Sequence, residues 1–94
     1  MTAYVIGHIS VKDPQRWAEY RAKVPATLTD WGGELVLRCV RCAVRDGAHR
    51  HTATVVLRFA TLEAATGWHE SAAYQALIPL RQQAAELDLI VFEG

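Results

Sequence analysis

The chain has no surplus of either charge: ten Lys and Arg balance ten Asp and Glu across its 94 residues. A module that grips duplex nucleic acid needs cations facing phosphates, so this balance argues against that class. A local cluster of arginines can still hold a small anion. Cysteine is nearly absent. Cys39 and Cys42 are the two it has, too few for a disulfide framework, and a reducing, cytoplasmic setting is the expectation. No apolar run approaches the roughly 20 residues that a membrane helix requires, so no membrane partner is expected. The start, Met1 to His8, has no basic segment and meets a histidine early, unlike a signal peptide. A Gly-rich phosphate loop and a nucleophile elbow are both missing. No cofactor is expected on motif grounds.

What is present is a dense apolar pattern, 51% of the residues, which excludes a disordered tail. The length suits one domain over residues 1–94. Tyr4 to Val11 alternates as a strand with large groups on both faces. Asp13-Pro14 is a helix start: the aspartate caps, and proline tolerates the first helical position because it has no N–H to leave unpaired. Trp17, Tyr20, Val24, Leu28 and Trp31 then recur at helical spacing. Pro25 is expected to kink or divide this helix near Val24, and Gly32-Gly33 to end it.

Glu34 to Arg45 reads as a long strand, Asp46-Gly47 as a tight turn, and about His51 to Ala60 as the returning strand. Thr61 is the next cap, with Leu62, Ala65 and Trp68 or His69 facing inward. Ser71 restarts a helix that runs through Pro79 to about Leu87. Asp88 to Glu93 is the last strand.

The order strand, helix, strand, strand, helix, strand has a simple solution under right-handed crossovers. It is an α+β, ferredoxin-like βαββαβ domain: a four-stranded antiparallel sheet in the order 4-1-3-2 with both helices on one face. The other face would be bare, yet the first and last strands are apolar on both sides. A bare apolar face of several hundred Å² rarely stays in water. Two such sheets packed together, as a dimeric α+β barrel, remove the problem, so a homodimer is the expected partner state.

Particular residues then resemble a known family. Tyr4-Val-Ile-Gly-His8, Val11-Lys-Asp-Pro14, Trp17-Ala-Glu-Tyr20-Arg, Trp31-Gly-Gly33 and Leu37-Arg38 carry the likeness in the first half. Phe59, Glu63-Ala-Ala65, Trp68, Ser71-Ala-Ala-Tyr74-Gln-Ala-Leu, Leu80-Arg81 and Val91-Phe-Glu-Gly94 carry it in the second. The chain resembles the "domain of unknown function 1330" family of the dimeric α+β barrel superfamily. The resemblance implies a ferredoxin-like dimer and says little of chemistry. Superfamily members include cofactor-independent monooxygenases, isomerases, cyclases and haem enzymes. The chain departs from the family pattern at Cys39-Val40, where glycines are usual, at Arg58, where an acid is usual, and at Ala60, where proline is frequent.

Arg81 lies on or beside the apolar stripe of the last helix, where a guanidinium needs a partner. Glu93 or Asp88 would supply an ion pair; otherwise Arg81 binds an anion at a pocket mouth. Arg38 sits mid-strand on an expected edge strand, open either to solvent or to a ligand. His8, on a central strand, is a general acid–base candidate or a neutral histidine with one nitrogen bonded. His69 is a second candidate at a helix end. Tyr4, Tyr20, Trp68 and Tyr74 are candidate ligand-binding walls, with core packing as the alternative for aromatics at such spacing.

Cys39-Val-Arg-Cys42 lies in a strand, where redox chemistry lacks the helix N-terminus it needs. A tight Asp46-Gly47 turn would bring Cys42, His49 and His51 together as zinc ligands. Three functions stay open on these grounds. The first is a cofactor-independent enzyme (oxygenase, isomerase or cyclase type) acting on a small acidic or aromatic metabolite, with His8, Arg38 and Arg81 as its catalytic set. The second is a non-catalytic small-ligand-binding module, and the third a zinc-binding or structural dimer.

Overall fold

A computed structural model describes residues 1–94. Nine elements follow one another. They are β1 (Ala3–Val11), α1 (Pro14–Leu28), a 3₁₀ turn (Thr29–Trp31), β2 (Glu34–Val40), β3 (Ala53–Phe59), α2 (Leu62–Glu70), α3 (Ala72–Gln75), α4 (Ile78–Ala84) and β4 (Ala85–Glu93). The strands form one antiparallel sheet in the order β2-β3-β1-β4. This is the expected 4-1-3-2 order, with β2 at one edge and the helices on one face.

The caps behave as their chemistry dictates. Asp13 accepts from the backbone N–H groups of Gln15 and Arg16, both at 3.1 Å. Thr61 accepts from Ala64 N–H at 3.1 Å, and Ser71 from Tyr74 N–H at 3.2 Å. Gly32 adopts the left-handed conformation, φ 65°, that ends the first helical segment. Pro25 does not divide α1, which runs unbroken through it. Proline costs the helix one N–H, whose acceptor would be the carbonyl of Arg21. Both residues are exposed, so water can satisfy that carbonyl.

The core lies between the helices and one face of the sheet. Along β1, Ala3, Val5 and Ile9 point into it and are fully buried. Trp68 joins the layers. Its ring centroid is 4.2 Å from that of Tyr74 and 5.6 Å from that of Phe59. Its Nε1–H donates to Thr27 Oγ1 at 2.9 Å, and that hydroxyl donates on to Val24 C=O at 2.7 Å. Leu62, expected to face inward, instead stays at the surface. Gly33 is where the chain passes closest to this core: a Cβ there would stand 2.7 Å from Phe59 and 2.8 Å from Leu28.

The hairpin departs most from expectation. β2 stops at Val40 and β3 starts at Ala53, so residues 41–52 are a long loop rather than strands around a tight turn. Side chains take over carbonyls that a ladder would use. Arg41 Nη1 donates to the carbonyls of His49, at 2.7 Å, and His51, at 3.2 Å. His51 turns inward and is 2% exposed. Its Nδ1 meets Ser10 Oγ at 2.9 Å and its Nε2 meets Asp88 Oδ2 at 2.9 Å. An ionised carboxylate only accepts, so Nε2 is the donor in the second bond.

The sheet's other face carries no helix. Register arranges it in rows across the four strands. The central row is Leu37, Val56, Ile6 and Ile90. On one side lies Cys39, Thr54, His8 and Asp88; on the other lies Glu34, Arg58, Tyr4 and Phe92. Leu37 and Ile90 of the central row are 45% and 41% exposed, and Phe92 beside it 49%; water disfavours an uncovered apolar surface of this kind.

Two outcomes follow for stability. Thr27→Val keeps the shape of Thr27 but strands the buried Trp68 N–H, and should cost about 1–3 kcal/mol in urea unfolding. Thr27→Ser, which keeps the hydroxyl, should cost markedly less. Asp88 is held below the ordinary carboxylate range, first by the hydrogen bond from His51. Its stabilising effect is therefore present above the ordinary Asp value of about 4 and is lost as pH falls through the lower folded value. In acid titrations of stability, Asp88→Asn should flatten that limb; an unchanged limb would show that the pair contributes nothing.

Candidate functional site

A cleft opens on the helix side of the sheet. Trp17, Tyr20, Arg21 and Val24 of α1 form one wall. Arg38 of β2, Val55 and Leu57 of β3, Leu87 and Leu89 of β4 and Trp68 of α2 form the rest. It is a shallow hollow with a cavity volume of about 40 Å³, open to solvent at its mouth. Two neighbouring open depressions both share Arg21 and Arg38 with it. These two guanidiniums are thus the common rim of the whole concave region.

Arg38 reaches this side because of a β-bulge. Leu35 pairs with Leu57, but Leu37 pairs with Val56, leaving Val36 as an extra residue. Arg38 then lies opposite Val55, on the helix side. Were Val36 paired regularly with Val56, Arg38 would lie opposite Thr54, on the bare side.

The charges at the rim are unusual. The ion pairs of the molecule are Arg16–Asp13, Lys23–Glu19, Arg50–Glu86, His51–Asp88 and Arg58–Glu34. Neither Arg21 nor Arg38 is among them. The Arg38 guanidinium is pushed below its ordinary value, first by burial and then by the charge of Arg21 beside it. An arginine stays charged at neutral pH even so. Two like charges therefore share one rim with no protein anion between them.

Behind the apolar wall runs a polar chain. Tyr20 Oη and Tyr74 Oη are 2.9 Å apart, and Arg81 Nη1 donates to Tyr74 Oη at 2.9 Å. Tyr74 is fully buried. Burial raises the ionisation of Tyr20 well above the ordinary phenol range, so its hydroxyl is a proton-bearing group at all working pH values. Trp17 stacks on Tyr20 with ring centroids 5.1 Å apart.

The candidate residues therefore separate into two groups. Arg38, Tyr20 and Trp68 line the cleft, and Tyr74 and Arg81 stand behind Tyr20. His69 lies beside Tyr74, ring centroids 5.6 Å apart, at the end of α2. His8 and Tyr4 are on the opposite face of the sheet. His8 Nδ1 meets Thr54 Oγ1 at 3.1 Å, and Tyr4 lies between Arg58 and Phe92. Arg81 pairs with neither Glu93 nor Asp88; its partner is a phenol. Arg58, at the position where the resemblance leads one to expect an acid, pairs with Glu34 at 2.6 Å between β3 and the edge strand β2.

Cys42, His49 and His51 do not form a zinc site, because no three His, Cys, Asp or Glu side chains converge to hold a metal. The long loop replaces the tight turn that would have aligned them, and both His51 nitrogens already have partners. Sequence reasoning passed over Arg21. Its signal was the i, i+4 spacing from Trp17, which puts both on one helix face.

Comparison with known proteins bears on the fold. Protein RPA0582 of unknown function from Rhodopseudomonas palustris matches with a TM-score of 0.81 at 13% identity, over 99% of this chain and 82% of that one. A dimeric ferredoxin-like protein of unknown function from Jannaschia sp. CCS1 matches at 0.79 and 10%, over 100% of both chains. SnoaB, a cofactor-independent oxygenase from Streptomyces nogalater, matches at 0.69 and 12%, over 99% of this chain and 92% of that one. No curated protein matches the chain. At such low identities these likenesses speak for the ferredoxin-like fold alone. The model of the family described as "Domain of unknown function (DUF1330)" covers residues 2–94, and the chain belongs to that family.

Proposed function

We propose that the helix-side cleft binds a small organic anion with a flat apolar body, and that the protein is a cofactor-independent enzyme acting on such a metabolite. The observation that carries this reading is the pair Arg21 and Arg38, unpaired by any protein acid at the rim of a cleft walled by Trp17, Tyr20 and Trp68. Like charges held together cost free energy that an incoming carboxylate, enolate or phenolate relieves. Fixed cations beside an apolar wall also stabilise charge that develops during a reaction. Oxygenase, isomerase and cyclase chemistry all pass through such anions, and SnoaB shares the fold, which is an analogy of scaffold only.

A second reading has an observation of its own. The cleft wall carries no His, Asp or Glu, and His8 lies across the sheet. A pocket with cations and no base suits a binding module that recognises an anion without changing it. Turnover separates the two: product formed from a bound ligand in the absence of added cofactor favours the enzyme.

We further propose that the protein is a homodimer closed through the bare sheet face, as a dimeric α+β barrel. The apolar row Leu37, Val56, Ile6 and Ile90 supports this, as does the dimeric description of the Jannaschia protein. Two exposed free thiols, Cys39 and Cys42, fit a reducing, cytoplasmic setting.

Benzoate is a suitable probe of the cleft. Losing one charge-assisted contact removes about 1.5–3 kcal/mol, so Arg38→Gln and Arg21→Gln should each weaken benzoate roughly tenfold or more. Thermal shift against benzoate concentration measures this, and equal affinity in all three proteins would remove the site. For the dimer, Ile90→Lys puts a charge in the central apolar row and should give a monomer in light scattering at micromolar concentration. A wild-type monomer under the same conditions would contradict the packing.

A further inference from the structure

The polar chain behind the cleft has a fixed direction. Guanidinium groups donate and never accept, so Tyr74 Oη must be the acceptor of the bond from Arg81. The Tyr74 proton then needs an acceptor. Tyr74 is fully buried, and the one other atom bonded to its hydroxyl is Tyr20 Oη, at 2.9 Å. Tyr74 therefore donates to Tyr20. This leaves the proton of Tyr20 without a partner in the protein, on a side chain that lines the cleft. Each bond polarises the next, from a permanent cation at one end to a free O–H at the other.

We infer that Tyr20 is the hydrogen-bond donor to an ionisable oxygen of the ligand, with Tyr74 and Arg81 as positioning residues that fix its direction and strengthen it. This rests on the cleft being the ligand site, and it narrows the ligand. One polarised O–H serves one oxygen, whereas a carboxylate divides its charge between two. A weak acid with a single ionising oxygen on a flat apolar body fits better: a phenol, an enol or a 1,3-dicarbonyl compound. On binding, its O–H proton passes to water and its oxygen keeps the negative charge. Tyr20 donates to that oxygen, and Arg21 and Arg38 supply the positive field. The burial that keeps Tyr20 protonated ensures that it remains a donor.

The ligand need not be known to test this. 4-Nitrophenol reports its own ionisation by visible absorbance, and benzoate, ionised throughout, reports occupancy of the cleft. Bound to the wild-type protein, 4-nitrophenol should ionise about one pH unit below its free value. Tyr20→Phe should lose at least half of that shift. Tyr74→Phe and Arg81→Met should lose part of it, and Arg81→Lys, which restores a donor, should recover some of it. These variants preserve shape, so a purely structural role would not move the probe's ionisation. An equal shift in the wild type and Tyr20→Phe, with benzoate still bound, would overturn the donor role and leave the cleft standing. Failure of the wild type to bind either probe would overturn the cleft and the donor role together.

Discussion

The buried indole of Trp68 is the contact on which the two layers depend. It lies against Phe59 of the sheet and Tyr74 of α3, and its N–H is fixed to Thr27 of α1. A buried aromatic of this kind removes about 150–250 Å² from water, worth about 4–6 kcal/mol at 25 cal/mol per Å². In a domain of this size that is a large share of the net stability. The same ring forms part of the cleft wall. Core and site are therefore continuous, and the cleft is held open by side chains whose positions the fold cannot relax without loss.

The sheet divides the molecule's chemistry by face. Toward the helices it presents mostly apolar residues, Phe59 among them, together with Arg38, and there the cleft forms. On the other side it presents an apolar row flanked by a histidine–acid row and an edge ion pair. His51, Ser10 and Asp88 tie the long loop to that second face, with the histidine drawn out of water to do so. Such a bond network specifies where the loop lies, because each polar atom taken from water must find its partner in one arrangement.

Much of the fold was legible because each local choice agreed with the global one. Asp13-Pro14, Thr61 and Ser71 announce helix starts, and all three cap the helices they precede. The strand order follows from connection rules. The loop after β2 was not legible, since its path is set by Arg41 bonding carbonyls within the loop and by His51 reaching Ser10 and Asp88 far along the chain. The candidate site was half legible. Aromatics and arginines were identifiable by type, but their grouping depends on which face of the sheet each strand residue takes. His8 and Arg38 read as neighbours in chemistry and stand on opposite sides in space. Arg81 read as the partner of Glu93, Asp88 or a bound anion, because the phenol of Tyr74 in the preceding helix is not a partner that charge alone suggests.

The bulge at Val36 makes sidedness a matter of parity. Along a strand, odd and even positions belong to different surfaces, and one additional residue exchanges them for everything beyond it. From Leu37 onward, β2 counts with the opposite parity from the residues before it. A shift of register that paired Val36 with Val56 would leave every residue of the strand in place in the sequence. It would nonetheless carry a guanidinium from one compartment of the molecule to the other, and bring Leu37 inward in exchange. Register at this edge thus decides the charge of the cleft as firmly as residue identity does, whereas loss of Val36 would only regularise the ladder and leave Arg38 opposite Val55.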